Sequence, residues 1–171
     1  MGFVFAAVFL WLARPNWHTM AASLALVLPG LWLRAYASGY VKKNSELTVT
    51  GPYAHTRNPL YLGSMLIAFG FALAAWSLVI FVALAALFAA IYIPTIQGEE
   101  AFLRATFPAF EGYTRSVPRL FPRLSPARME TAQEAGAFSG ALYLRHREYN
   151  SAMGAAAIYL VLAAKLLYHV G

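Results

Sequence analysis

A long uncharged stretch constrains the fold more than any other feature of the sequence. Between Arg57 and Glu99 no side chain carries a formal charge. A helix needs only about 20 apolar residues to cross a hydrocarbon core of about 30 Å, so this stretch can cross twice. Because backbone polar groups in lipid must be satisfied internally, both halves should be helical. We predict a helical hairpin formed by residues 59–76 and 77–96, with Trp76 at a membrane interface.

Three further apolar stretches are candidate membrane helices. Residues 17–36 are long enough to cross, and Arg34 lies near their end, where a long side chain can extend to the headgroups. Residues 149–168 form another candidate if Lys165 extends in the same way. Residues 1–13 are shorter, about 20 Å as a helix, and either cross at a tilt or lie along the surface. The sequence therefore predicts an all-α fold, a polytopic membrane helical bundle of about five transmembrane helices.

Composition agrees with a membrane setting and limits the chemistry. Hydrophobic residues make up 60% of the chain and charged residues 12%, and the absence of cysteine excludes disulfides and thiolate nucleophiles. The formal charge of +6 is spread over the ends of apolar runs, which favours membrane lipids and no nucleic acid as partners. Five spans would place ten cations on one face, and the positive-inside rule then makes that face cytoplasmic. These cations are Lys42, Lys43, Arg57, Arg104, Arg115, Arg119, Arg123, Arg128, Arg145 and Arg147.

The first polar segment, residues 42–63, precedes the hairpin. Pro59 suits the first turn of a helix, so free N–H groups should follow directly after Arg57 and create a place for an anionic group such as a carboxylate. His55, Asn58 and Tyr61 are close to that helix start in the sequence. The alternative interpretation is a loop beside the membrane with one extended arginine and interfacial tyrosines.

The second polar segment begins at Glu99 and Glu100, where the fourth span should emerge. Adjacent carboxylates near a region of low dielectric constant are costly unless a cation faces them. Their simplest partner is Arg57, because a tight hairpin brings the start of one helix beside the end of the next. A solvated helix end is the alternative. The aromatic residues at 107, 110 and 113 fit an amphipathic interfacial helix.

Four short motifs in this order carry a resemblance to a known family. They are Gly51-Pro52-Tyr53, Arg57-Asn58-Pro59-x-Tyr61-x-Gly63, Glu99-Glu100-x-x-Leu103 and Val117-Pro118-Arg119. The chain thereby resembles the isoprenylcysteine carboxyl methyltransferase family, and phospholipid N-methyltransferases share related features. We expect a single domain, 1–171. The resemblance covers its residues 31–122, and residues 125–171 form a C-terminal extension that contains the last membrane helix. The chain departs from the family at Asn58, often His, at Pro108, usually Gly, and at Phe110, usually Tyr.

The resemblance implies methyl transfer from S-adenosylmethionine to a lipophilic acceptor, with S-adenosylhomocysteine as the product. It implies Arg57 and Glu99 as catalytic residues and a cofactor site on the cytoplasmic side. The implied cofactor-binding residues are Tyr53, His55, Arg57, Asn58, Pro59, Tyr61, Glu99, Glu100 and Tyr113. No spacing typical of a metal site is present, and no glycine-rich dinucleotide fingerprint follows a strand.

Several functions remain open at this stage. The leading one is carboxyl O-methylation of an isoprenylcysteine-like, prenylated small molecule; the alternative is N-methylation of a phospholipid or another lipid. A carboxylate acceptor needs orientation by Arg57 but no base, whereas an amine acceptor needs a base such as Glu99, Glu100 or His55. A nicotinamide-dependent membrane reductase and a non-catalytic membrane subunit are further alternatives. The sequence does not determine the oligomeric state.

Overall fold

The computed structural model describes residues 2–41, 46–128 and 136–170, and the regular secondary structure within these ranges is all helical, with no strand. Within these ranges the fold has seven α-helices and one 3-10 turn, Gly51–Ala54. The helices are α1 (Gly2–Leu12), α2 (Trp17–Ser38), α3 (Pro59–Ala74), α4 (Leu78–Thr106), α5 (Phe110–Ser116), α6 (Gly140–Arg145) and α7 (Tyr149–Val170). The predicted all-α membrane bundle is confirmed. Lys42 and Lys43, part of the predicted cationic face, lie outside the described residues.

Three of these helices are long and apolar enough to cross a membrane: α2, α4 and residues Tyr149–Tyr168 of α7. Helix α3 has 16 residues and α1 has 11, so the described chain has fewer full-length spans than the predicted five. At 1.5 Å per residue, α3 is about 24 Å long, slightly less than the hydrocarbon core. The shortening has a local cause, because the chain already turns at Ala75 and Trp76.

The predicted hairpin is confirmed, although its second helix is longer than expected. Trp76 adopts φ 47° in the turn, and the Ser77 hydroxyl then caps α4 by accepting from the Ile80 N–H at 3.4 Å. Such a cap satisfies one of the N–H groups that a helix start leaves without a partner. Helix α4 continues past residue 96 to Thr106, so Glu100 lies within the helix rather than at its end.

Close packing of α2 against α3 depends on glycine. A Cβ atom on Gly63 would lie 2.9 Å from the Gly30 carbonyl oxygen, and one on Gly70 would lie 2.5 Å from Val27 Cγ2. Small residues allow two backbones to approach in this way, which is typical of membrane helix pairs. Helix α7 joins the pair through a 2.6 Å hydrogen bond between the Ser23 and Tyr159 hydroxyls.

The two ends of the bundle differ in polarity. At one end, the Arg14 N–H donates to the Ala75 carbonyl at 2.7 Å, which connects the start of α2 to the hairpin turn. The Lys165 ammonium at this end donates to the Leu10 carbonyl and, at 2.7 Å, to the Ala13 carbonyl. Lys165 thus caps the end of α1, and the predicted span over residues 149–168 agrees with the structure. The opposite end carries both polar segments.

Candidate functional site

The two polar segments pair with each other along their backbones. The Arg57 N–H donates to the Pro118 carbonyl at 2.9 Å, and the Arg123 N–H donates to the His55 carbonyl at 3.0 Å. Side chains add to this pairing: the Asn58 amide donates to the Arg119 carbonyl at 2.9 Å, and His55 Nδ1 donates to the Arg123 carbonyl at 2.8 Å. The motifs that the sequence separates by the hairpin therefore form one unit.

A small aromatic core supports this unit. Phe110, Tyr113 and Val117 are fully buried and pack against Leu103 of α4. The Tyr113 hydroxyl donates to the Tyr53 carbonyl at 2.8 Å, which attaches α5 to the 3-10 turn. Burial raises the pKa of Tyr113 and that of Tyr53 above the ordinary tyrosine value. Both side chains therefore remain neutral. Helix α5 is amphipathic, as the aromatic spacing indicated, and its apolar face packs into this core.

Glu100 is the centre of the strongest charge cluster. Its buried carboxylate contacts Arg57 Nη1 at 3.1 Å through Oε1 and Arg119 Nη2 at 2.7 Å through Oε2. The predicted pairing of Arg57 with the two glutamates is confirmed for Glu100. Contact with Glu100 raises the pKa of Arg119, so this guanidinium stays charged. In the described part of the chain, the buried Nε of Arg57 has no hydrogen-bond partner, so it can still donate to a ligand.

Glu99 is bonded differently from its neighbour. Its Oε1 accepts a 2.9 Å hydrogen bond from the Tyr61 hydroxyl, so the predicted partner Arg57 is wrong for this carboxylate. The reason is helical geometry, because adjacent residues point about 100° apart around a helix. The Tyr61 ring contacts Tyr92 edge to face at 5.0 Å. Glu99 therefore lies beside aromatic rings without a contacting guanidinium among the described ion pairs.

These groups surround a cavity of about 380 Å³ at the polar end of the bundle. Eight of the nine predicted cofactor-binding residues line it: Tyr53, Arg57, Asn58, Pro59, Tyr61, Glu99, Glu100 and Tyr113. His55 does not, because its ring is used to hold Arg123. The charged lining residues are two arginines and four glutamates, namely Arg34, Arg57, Glu46, Glu99, Glu100 and Glu148. The lining thus has an excess of negative charge, which suits a ligand that carries positive charge.

Sequence reasoning missed an ion pair on another wall of the cavity. Arg34 donates to Glu148 Oε2 through Nε at 3.0 Å and to Oε1 through Nη2 at 2.8 Å, and its Nη1 donates to the Ser64 hydroxyl. The expectation that Arg34 extends to headgroups is therefore wrong. Its position inside an apolar helix was a usable signal, because an intramembrane arginine needs an acidic partner. Nothing in the sequence identified Glu148 as that partner.

The fold and the site together define a helical membrane protein with a polar cavity at one end. Residues 29–109 match the family described as Phospholipid methyltransferase. This match covers the second half of α2 from residue 29, all of α3 and α4 and most cavity residues, and it supports a membrane methyltransferase. Tyr113, Arg119 and Glu148 lie outside the matched residues.

Two curated proteins are similar to the chain. "Cobalt-zinc-cadmium resistance protein CzcN" of Cupriavidus metallidurans is 40% identical over 112 residues, which cover 66% of this chain and 50% of that protein. "Nickel-cobalt-cadmium resistance protein NccN" of Alcaligenes xylosoxydans xylosoxydans is 39% identical over 101 residues, covering 59% of this chain and 46% of that protein. The chain spans about half the length of these relatives. No solved structure matches the chain significantly.

Proposed function

We propose that the chain is an integral membrane methyltransferase that uses S-adenosylmethionine to methylate a lipophilic acceptor. The observation that carries the proposal is one cavity that combines Arg57, the start of α3 and the carboxylate of Glu99. The cofactor has a carboxylate, an ammonium and a sulfonium, and the cavity offers a complementary group for each. When bound, the cofactor supplies an electrophilic methyl group on sulfur.

Three features of the site fit the cofactor. Asn58 does not cap α3 with its side chain, so the first N–H groups of that helix have no side-chain cap and can receive the carboxylate together with Arg57 Nε. Glu99 can bind the ammonium or a ribose hydroxyl through the oxygen that Tyr61 leaves free. The Tyr53 and Tyr61 rings can face the sulfonium, since aromatic faces attract cations.

The acceptor chemistry is the finer part of the proposal. Both arginines of the lining already pair with a glutamate, Arg57 with Glu100 and Arg34 with Glu148, so neither offers an uncompensated positive charge to the carboxylate of an isoprenylcysteine-like molecule. The excess of glutamates in the lining favours an amine, because a carboxylate that the cofactor does not occupy can accept its proton. The similarity of residues 29–109 to phospholipid methyltransferases supports the same choice. We therefore propose a lipid amine as the first acceptor to test and the prenylated carboxylate as the second.

The proposed orientation places the cavity on the cytoplasmic side. Within the described residues, most cations lie at the cavity end of the bundle, while Arg14 and Lys165 belong to the other end. Lysine and arginine in short loops favour the cytoplasmic side. A water-soluble cofactor would then enter from the cytoplasm, and the acceptor would enter from the lipid.

Binding of S-adenosylhomocysteine to the purified protein tests the cofactor assignment. We expect saturable binding, at least tenfold weaker binding by Glu99→Gln, and no competition by NADPH. The matched control is Glu111→Gln, which removes a carboxylate from the exposed pair with Arg104 outside the cavity. Equal binding by the wild type and Glu99→Gln contradicts the assignment of Glu99, and tight binding of NADPH instead supports the reductase alternative.

The names of the two relatives support a second, physiological proposal. We propose that methylation by this chain contributes to resistance toward divalent metal ions, as those names state for the relatives. A host that lacks the gene should regain growth in cadmium when it carries the wild type. Rescue by the Glu99→Gln variant to the same level would show that the contribution does not depend on methyl transfer.

A further inference from the structure

The Arg34–Glu148 pair joins the C-terminal extension to the cavity. Glu148 lies outside the segment that matches phospholipid methyltransferases, yet its carboxylate lines the cavity and its side chain is only 11% exposed. Its partner Arg34 is within that segment, on α2. The cavity is thus built by two parts of the chain that are separated by more than a hundred positions.

The C-terminal segment is held on the end of α2 by several contacts. The Ser139 N–H donates to the Gly39 carbonyl at 2.9 Å, and His146 Nδ1 donates to the Ser38 carbonyl at 3.0 Å. These bonds satisfy carbonyl groups that the end of a helix leaves without partners. Arg147 then adopts φ 53°, an uncommon value for a residue with a side chain, immediately before Glu148. The backbone is therefore held in a specific conformation where it delivers this carboxylate.

The arginine of this pair belongs to an apolar helix long enough to cross the membrane, whereas the arginines of the Glu100 cluster do not. Arg34 is four residues before the last residue of α2, about 6 Å inside the helix, and Ser64 is five residues into α3, about 7 Å. Arg57 and Arg119 instead lie in the connecting segments outside the helices. A lipophilic acceptor that enters from the bilayer between α2 and α3 would meet Arg34 and Ser64, while a water-soluble cofactor would meet Arg57 and Arg119.

Hydrogen-bond capacity remains on both members of the pair. A guanidinium has five N–H donors and a carboxylate has about four acceptor sites. Bonds within the described residues use four donors of Arg34, to Glu148 twice, Ser64 and the Leu60 carbonyl. They use three acceptor sites of Glu148, which also accepts from Ser151 at 3.2 Å. One donor and one acceptor site are left for a ligand, side by side.

We propose that the Arg34–Glu148 pair is a specificity-determining element that binds the polar headgroup of the methyl acceptor. The headgroup it fits presents a hydrogen-bond acceptor to Arg34 and an N–H or O–H donor to Glu148. The inference rests on the proposed methyltransferase function, and it adds the C-terminal extension to the acceptor site. Glu148 and Arg34 act here by positioning the acceptor and not by proton transfer.

The test separates acceptor binding from cofactor binding in Glu148→Gln. Initial rates of label transfer from S-adenosylmethionine are measured with purified full-length protein at increasing concentrations of a polar lipid extract. We expect the half-saturating extract concentration to rise at least tenfold while the Kd for S-adenosylhomocysteine stays within twofold. Glu111→Gln should match the wild type in both measurements. Ser64→Ala, which removes one contact of Arg34, should shift half-saturation in the same direction by a smaller factor and tests the inference if Glu148→Gln does not fold.

The outcomes distinguish this inference from the proposed function. Unchanged half-saturation in Glu148→Gln, or an equal loss of cofactor affinity, overturns the acceptor role while the wild type still transfers methyl groups. No transfer by the wild type overturns both. Mild alkali treatment of the labelled lipid identifies the headgroup class, because esters release the label as methanol and N-methyl groups retain it.

Discussion

The buried carboxylate of Glu100 should be the charge on which the stability of the site depends most. Its side chain is 5% exposed and contacts Arg57, which is 13% exposed, and Arg119, which is 50% exposed. Glu100→Gln keeps the shape of the side chain but removes its charge. Two guanidiniums would then face each other without a contacting carboxylate, and the buried one cannot regain water.

The expected loss of stability in Glu100→Gln follows from the difference in exposure between Arg57 and Arg119. Removing one member of a buried ion pair costs about 3–5 kcal/mol, whereas an exposed pair contributes about 0–1 kcal/mol. Arg119 is half exposed and can be rehydrated. Losing its contact with Glu100 should therefore cost little more than losing an exposed ion pair. Arg57 accounts for most of the effect, and the amide of glutamine retains part of one hydrogen bond. We therefore expect the free energy of unfolding to fall by about 3 kcal/mol.

Unfolding of the purified protein in mixed micelles by titration with a denaturing detergent measures this loss. Glu111→Gln is the control, because it breaks the exposed pair with Arg104 and should change the free energy of unfolding by less than about 1 kcal/mol. Replacing Arg57 and Glu100 together by methionine should recover most of the loss, since no uncompensated buried charge remains. A loss in Glu100→Gln no larger than that in the control would refute the reasoning.

Three further predictions concern transfer, packing and pH. Glu99→Gln should reduce methyl transfer at least a hundredfold with an unchanged unfolding midpoint, measured with labelled cofactor; full activity would exclude a catalytic role. Gly63→Ala places a Cβ 2.9 Å from a backbone oxygen of α2 and should destabilise by about 1–3 kcal/mol in the same detergent titration, whereas Gly98→Ala, with open space around it, should not. The raised pKa of buried Tyr113 means that its stabilisation is present below its ordinary pKa of 10.0 and is lost as the pH rises above it. Tyr113→Phe should lower stability at pH 7 by about 1 kcal/mol and weaken its decline above pH 10; an unchanged alkaline slope would contradict this.

The membrane helices were predictable from the sequence because charge and hydropathy alone limit them. The start of α2 at Trp17 and that of α3 at Pro59 agree with the prediction, and the hairpin turn lies where expected. The end of α4 was not predictable in this way. Glu99 and Glu100 resemble a charged helix end in the sequence, but tertiary contacts with Tyr61 and Arg57 allow the helix to continue past them.

The candidate site was predictable where residues lie close to a motif and not where they depend on distant contacts. The segment around Arg57 was correctly expected to meet the end of the hairpin. His55 was expected in the cofactor site because it neighbours Arg57, but its ring bonds to the backbone of Arg123 instead. The Arg34–Glu148 pair has no local periodicity to reveal it, because only the packing of α7 beside α2 brings the two charges together.

The most direct test of the account is transfer of a labelled methyl group from S-adenosylmethionine to lipid by the purified protein. The account predicts that the wild type and Glu111→Gln incorporate label into a membrane lipid extract, and that Glu99→Gln and Arg57→Ala do not. It further predicts that mild alkali leaves the label in the lipid, as expected for an N-methyl group. Absence of incorporation by the folded wild type in this extract, or equal incorporation by all four proteins, would contradict it.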